Sequence, residues 1–208
     1  MKNLLIDRVH RAALGVVDRD PGQRILDFGC GTGRLADWLG ARGADVLGVD
    51  ASPEMITSAR ARVPSARFEV LQSGRIPIGD AAFDTILSVW VLQYFVTEAS
   101  ELETISRELA RVLAPGGRLV AIEQVQYGEL ERGGSLEAYC EGFAAAGFRT
   151  RATAVRVSHS RIVGRAVQRP RLATLPGLAS LVRLEAGRVR PDLLVEGRYA
   201  DYLFVGSR

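Results

Sequence analysis

The chain has 208 residues, 47% of them hydrophobic and 25% charged, with a formal net charge of +3. That is the make-up of one folded domain able to bury about 70% of its unfolded surface, and it excludes a disordered or fibrous protein. No apolar run reaches the roughly 18 residues of a membrane span, Asp7, Arg8 and Arg11 interrupt any signal-like core, and two cysteines, Cys30 and Cys140, make neither a disulfide framework nor a metal site, so a cytoplasmic, metal-free protein is expected.

In chain order, residues 3–18 read as an amphipathic leader helix. Ile25 to Phe28 read as a buried strand that runs into Gly29-Cys30-Gly31-Thr32-Gly33 and then a helix near Arg34 to Ala41, with Leu35, Trp38 and Leu39 on one face. A second strand, Ala44 to Val49, ends at Asp50. Ser52 caps the next helix, with Pro53 in its first turn, Met55, Ile56 and Ala59 on its inward face and Pro64 marking its end. Strands follow at about Arg67 to Leu71 and Phe83 to Val89. Ser100 and Glu103 have capping-box spacing before a helix whose Leu102, Ile105, Leu109, Val112 and Leu113 recur at helical period, with Thr97 as an earlier possible start. A fifth strand spans Arg118 to about Glu123, a helix runs from Ser135 to Gly147, an alternating strand covers Arg149 to Val157, and a last strand lies near Tyr199 to Gly206. Strands alternating with helices predict an α/β domain with parallel βαβ units.

The glycine turn carries the chemistry. Glycines at 29, 31 and 33 remove Cβ atoms and admit positive φ, so a ligand can lie against bare backbone, and the following helix offers unpaired N–H groups. Gly31, Gly33 and Ala36 also satisfy G-x-G-x-x-G/A spacing, so a nicotinamide-dependent oxidoreductase stays open on spacing alone. Asp27 argues against it. A carboxylate two residues before the first glycine repels a pyrophosphate and attracts an ammonium, while Asp50, about twenty residues past the turn, suits the two hydroxyls of a ribose. Ribose, an amino-acid ammonium and no pyrophosphate describe S-adenosylmethionine.

Four segments in order resemble the class I S-adenosylmethionine-dependent methyltransferases. Asp27 to Gly33 is similar to the family's first motif and Gly48-Val49-Asp50-Ala51-Ser52 to its ribose-binding strand end. Phe83 to Gln93 resembles the fourth strand with the loop into the substrate site, and Leu113-Ala114-Pro115-Gly116-Gly117-Arg118-Leu119 the turn before the fifth strand. The resemblance implies a Rossmann-like doubly wound sheet of about seven strands with helices on both faces, mostly parallel with the last strand antiparallel. It implies methyl transfer from S-adenosylmethionine, with S-adenosylhomocysteine as product, to an oxygen, nitrogen or carbon of a small acceptor such as a sugar or natural-product intermediate. It also implies cofactor contacts at Asp27, Gly29, Cys30, Gly31, Gly33, Asp50, Ala51, Met55, Ser88 and Trp90. Cys30 also reads as a filler of a small apolar gap, and core burial competes for Met55 and Trp90. Many relatives have an acid after the third strand that receives the adenine amino group. This chain has Leu71-Gln72-Ser73-Gly74-Arg75 instead, leaving Ser73 or Gln72 as the substitute.

Between the last two strands lie about 40 residues, 158–198, broken by Pro170, Pro176 and Pro191; within a single domain over 1–208 they read as a substrate lid. Residues 149–198 carry eleven arginines against Glu185, Asp192 and Glu196, so the remainder of a +3 chain is net acidic. Such a lid suits an anionic, phosphate-bearing acceptor, although a solvated arginine-rich surface is an equal reading. Leu172, Leu175, Leu178, Leu181 and Val182 with flanking arginines suit a peripheral membrane contact, whereas RNA is disfavoured by the shortage of aromatic residues. A non-catalytic cofactor-binding module is the alternative to an enzyme. Placement of nucleophile and methyl can supply much of the rate, but a sugar or aliphatic hydroxyl also calls for a base. His159 is the first candidate, with His10 and Glu123 after it.

Overall fold

The computed structural model describes residues 13–15, 17, 21–72, 75–95, 99–126, 134–157 and 199–207. Seven strands form one sheet: β1 (Arg24–Phe28), β2 (Asp45–Asp50), β3 (Arg67–Val70), β4 (Phe83–Val89), β5 (Leu113–Gln126), β6 (Arg149–Val157) and β7 (Tyr199–Ser207). Their order is β3-β2-β1-β4-β5-β7-β6. Strands β1 to β5 pair in parallel, with β3 at the edge, and β7 runs antiparallel to both of its neighbours. This is the Rossmann-like doubly wound sheet expected from the sequence. Four helices accompany it among the described residues: α1 (Arg34–Gly40), α2 (Pro53–Arg62), α3 (Ala99–Val112) and α4 (Leu136–Ala145).

Adjacent residues of each central strand point to opposite faces, and both faces are buried, which is why the strands read as nearly continuous apolar runs. Leu26, Leu47, Ile86 and Leu119 join Leu102, Ile105 and Leu109 of α3 and Tyr139 and Phe143 of α4 in one core. Their neighbours Ile25, Val46, Leu87 and Val120 join Leu35 and Leu39 of α1 and Ile56 and Ala59 of α2 in the other. Ser52 caps α2 as expected, its Oγ accepting from the Met55 N–H, and Ser135 Oγ accepts from the Ala138 N–H at the start of α4; α3 already includes Ala99, so Ser100 lies inside that helix and is not its cap. Of the leader helix expected over residues 3–18, Ala13, Leu14, Gly15 and Val17 are described; Gly15 is exposed, and Ala13, Leu14 and Val17 are buried in the second core.

The clearest departure from the expected boundaries is in β5, which runs to Gln126 and not only to about Glu123. β5 begins at Leu113 rather than Arg118, because Leu113 pairs with Phe83 before a register shift, and the ladder resumes at Arg118 opposite Thr85. The turn that accommodates the shift has Gly116 at φ 76°. At the other end of this strand, β1 and β4 lie side by side where the strand order reverses. In open α/β sheets the crevice beyond the carboxyl ends at such a reversal is where ligands bind.

Candidate functional site

Four segments meet at that crevice: the turn after β1, the end of β2, the loop after β4 and the end of β5. The turn folds back on β2 through N–H bonds of Gly29 and Cys30 to the Val49 carbonyl, at 2.8 and 2.9 Å. Asp50 completes the link. One carboxylate oxygen accepts from the Gly31 N–H at 2.9 Å and the other from the Ser52 N–H at 2.9 Å, so a single side chain ties the glycine turn to the start of α2.

The turn glycines divide their work. All three have positive φ, 73° at Gly29, 51° at Gly31 and 75° at Gly33. A Cβ on Gly29 would sit 2.2 Å from Cγ2 of Val91, so this glycine admits the β4 loop rather than a ligand. On Gly33 it would press on Ala59 and Phe68 at 3.2 Å, a helix-packing constraint. A Cβ on Gly31 would meet nothing within 4 Å, so this is the turn glycine with open space on its Cβ side. Cys30 is buried, and its Sγ lies 3.0 Å from where a Cβ on Gly48 would stand; the thiol fills the gap beneath the turn, and burial pushes its pKa up. That makes it a poor nucleophile.

Asp27 lies under the turn at 2% exposure, with Oδ2 lacking any hydrogen-bond partner. Burial raises its pKa to about 7, with the charge of Asp50 adding to the shift and the Ala36 N–H opposing it. Buried polar atoms are nearly always paired, so an orphaned carboxylate oxygen at the foot of the glycine turn marks a place for a cationic group. This is the observation against which S-adenosylmethionine can be tested, and the residues fit it: Asp27 for the ammonium, bare Gly31 backbone in the turn, and Asp50 with lone pairs remaining for ribose hydroxyls. Ala51 is exposed and Met55 is 42% exposed. The core alternative for Met55 is thereby removed. Trp90 is half-buried, packs against the second core and adopts φ 60°.

Glu123 and Ser88 have a different setting from the one expected. Glu123 has 0% exposure, and its two oxygens accept four hydrogen bonds: from Ser88 Oγ at 3.2 Å and from the backbone N–H groups of Val91, Leu92 and Gln93 at 3.1, 3.0 and 3.2 Å. Oε1 accepts three of the four and Oε2 one, all from its own chain, which is the setting of a brace. Ser88 is fully buried and donates into that brace. Sequence reasoning missed Val91 altogether, since nothing in a strand-loop pattern marks a valine that will lie on a glycine. His10, His159 and Ser73 lie outside the described residues. Among the described residues no group of three or more His, Cys, Asp and Glu could hold a metal ion, and no helix is long and apolar enough to cross a membrane.

Residues 26–121, which span the glycine turn, the end of β2, β4 and most of β5, match the model of the methyltransferase domain family. The match and the relatives below support a class I S-adenosylmethionine-dependent methyltransferase. The chain is 34% identical over 122 residues to methyltransferase GfsG of Streptomyces halstedii, covering 55% of this chain and 42% of that protein. It is 38% identical over 117 residues to the demethylmenaquinone methyltransferase of Tropheryma whipplei, covering 54% of this chain and 46% of the relative. The chain thus spans about half the length of the curated relatives it matches. In fold it resembles the [4+2]-cyclase SpnF with a TM-score of 0.69 at 22% identity, covering 97% of this chain and 81% of that one.

Proposed function

We propose that this methyltransferase domain binds S-adenosylmethionine in the crevice beyond β1 and β4 and transfers its methyl group to a small-molecule acceptor. The cofactor supplies an electrophilic methyl on a positively charged sulfur. The chain's own residues bind and orient. Asp27 holds the ammonium of the methionine part, Gly31 lets that part lie on backbone, and Asp50 accepts from the ribose hydroxyls. Ala51 and Met55 border the adenine, and the β4 loop with Trp90 borders the methionine part and the acceptor. Gly29, Gly33 and Cys30 shape the turn. Ser73 and the histidines at 10 and 159 belong to the reading as candidate adenine and base contacts. The carrying observation is the unpartnered, buried Oδ2 of Asp27, on the strand that runs into the glycine turn with its open Gly31 position.

The acceptor class rests on the relatives and the charge pattern. A demethylmenaquinone methyltransferase and methyltransferase GfsG are relatives whose names denote methyl transfer. The eleven arginines over 149–198 favour an acceptor with a carboxylate or phosphate, enclosed by residues 158–198 acting as a lid. Titration calorimetry with S-adenosylhomocysteine, followed by transfer of a labelled methyl to panels of anionic and neutral acceptors, tests the reading. Expected are micromolar binding on the scale of about 8 kcal/mol and transfer to the anionic panel. No binding at millimolar ligand overturns the reading; binding with no transfer to any acceptor supports the non-catalytic alternative.

A further inference from the structure

The loop after β4 starts a short 3-10 helix at Leu92–Tyr94, and the side chain at its cap position, Val91, makes no capping hydrogen bond. The first N–H groups of any helical turn need acceptors from elsewhere. Here they come from another strand. The N–H groups of Val91, Leu92 and Gln93 converge on the Glu123 carboxylate, 30 to 32 residues away in sequence, and Ser88 Oγ donates to the same group. Charge-assisted bonds of this kind are roughly twice as strong as neutral ones.

The braced loop reaches the cofactor turn directly. Val91 lies over Gly29 so closely that a Cβ there would be 2.2 Å from Cγ2 and 2.8 Å from Cγ1. Leu92 is fully buried, and the Phe95 ring lies 6.4 Å from that of Phe28, the last residue of β1. On its other side the loop carries Trp90 at φ 60°, with its N–H on the Ile122 carbonyl at 2.8 Å and its own carbonyl accepting from Gln93 Nε2 at 3.2 Å. A non-glycine residue held at positive φ persists where its surroundings over-determine it. Tyr94, at the far end, is 65% exposed. One buried carboxylate therefore fixes, through three backbone groups, both a wedge against the glycine turn and a pair of aromatic residues beside the crevice.

We infer that Glu123 is a positioning residue that holds the β4 loop in register with the cofactor turn, acting through Val91 on Gly29. The inference rests on the proposed cofactor site, and its test separates the two. S-adenosylhomocysteine affinity is measured for the wild-type protein, Glu123→Gln, Val91→Ala and the double variant, at temperatures well below each Tm. A Trp38→Phe background leaves Trp90 as the sole tryptophan and its emission as a reporter of the loop. Glu123→Gln keeps one acceptor oxygen and turns an amide N–H₂ toward N–H donors, so affinity should fall about tenfold, the scale of one lost charge-assisted bond. Trp90 emission should shift in the unliganded protein. Val91→Ala should weaken binding while leaving every main-chain bond in place, and the double variant should lose less than the sum of the singles, because both act along one route. A folded Glu123→Gln with a lowered Tm but wild-type affinity and unshifted Trp90 emission overturns the inference, as does additivity in the double variant. Should Glu123→Gln not fold, Val91→Ala decides alone, and wild-type affinity there is the overturning result. Failure of the wild-type protein to bind overturns the cofactor reading as well, and with it the inference.

Discussion

Asp27 at the end of β1 and Glu123 near the end of β5 are both buried carboxylates on the same crevice, and burial raises both to about 7. They differ in what meets their oxygens. Glu123 accepts four hydrogen bonds from the protein, whereas Asp27 keeps one oxygen with none. Removing water from a carboxylate costs several kcal/mol unless partners replace it. A carboxylate whose partners come from its own chain serves the fold; one left short by a single partner is built for a ligand. The strongest way to break that contrast is Asp27→Asn. It should weaken S-adenosylhomocysteine binding about 100-fold, the cost of truncating one side of a buried charge pair. The unliganded Tm should stay level or rise, since an uncompensated buried charge has gone. A variant that loses stability and keeps affinity would put Asp27 in the same class as Glu123.

Asp50 sharpens the comparison as an intermediate case. It is half-buried, and both oxygens already accept a backbone N–H, yet each retains a lone pair toward the crevice. Asp50→Ala removes the link between the glycine turn and α2 together with the ribose contact. An affinity loss of about thirtyfold with a Tm lower by several degrees is expected by calorimetry and thermal melting. Unchanged affinity would remove the ribose assignment.

The glycines repeat the same division at the level of backbone. Gly31→Ala places a Cβ in open space at φ 51°, so the fold should lose only about 1–2 kcal/mol of left-handed strain while ligand affinity falls about tenfold. Gly29→Ala meets Val91 at 2.2 Å and should lower stability by several kcal/mol, overpacking added to strain. Denaturant melts should rank Gly29→Ala well below Gly31→Ala in stability, while ligand titration should show Gly31→Ala losing affinity without a matching loss of fold. Equal stability losses in the two variants would merge them.

Much of the sheet was legible because it depends on local pattern. Alternate residues of each strand go to opposite cores, so Ile25-Leu26, Val46-Leu47 and Ile86-Leu87 read as strands without knowledge of their neighbours. Ser52 and Pro53 marked the start of α2 for the same local reason. The site was legible where one residue type has one physical use there: an acid before the turn, an acid about twenty residues later. Roles set by tertiary contact were not. Glu123 offered itself as a base because nothing in the sequence places three N–H groups from residues 91 to 93 against it. Gly29 suggested a ligand until Val91 was found above it. The 3-10 turn at Leu92–Tyr94 depends on the same distant carboxylate, so it too left no local sign.

The mildest test of the contrast between the two acids is pH. Asp27 and Glu123 have folded pKa values near 7 against ordinary values of 3.8 and 4.5, so the folded protein holds protons that the unfolded chain has released. Their contribution is present in full below about pH 4 and is lost as pH rises through about 7, so the unliganded protein should become less stable across that window. Glu54, Asp84 and Glu108 are shifted down by their hydrogen bonds, and their contribution is lost at the acidic end instead, as pH falls below the ordinary carboxylate range. A bound ammonium favours the ionised form of Asp27 alone. S-adenosylhomocysteine affinity should therefore rise with pH, by up to about tenfold per unit below 7, and level off above it. Calorimetry in buffers of differing ionisation enthalpy should show a proton released on binding near pH 6. Asp27→Asn should flatten that profile, while Val91→Ala, which leaves both carboxylates in place, should lower affinity and keep the slope. A slope that survives Asp27→Asn would assign the titration to another group, Glu123 first, whose folded pKa is also raised to about 7.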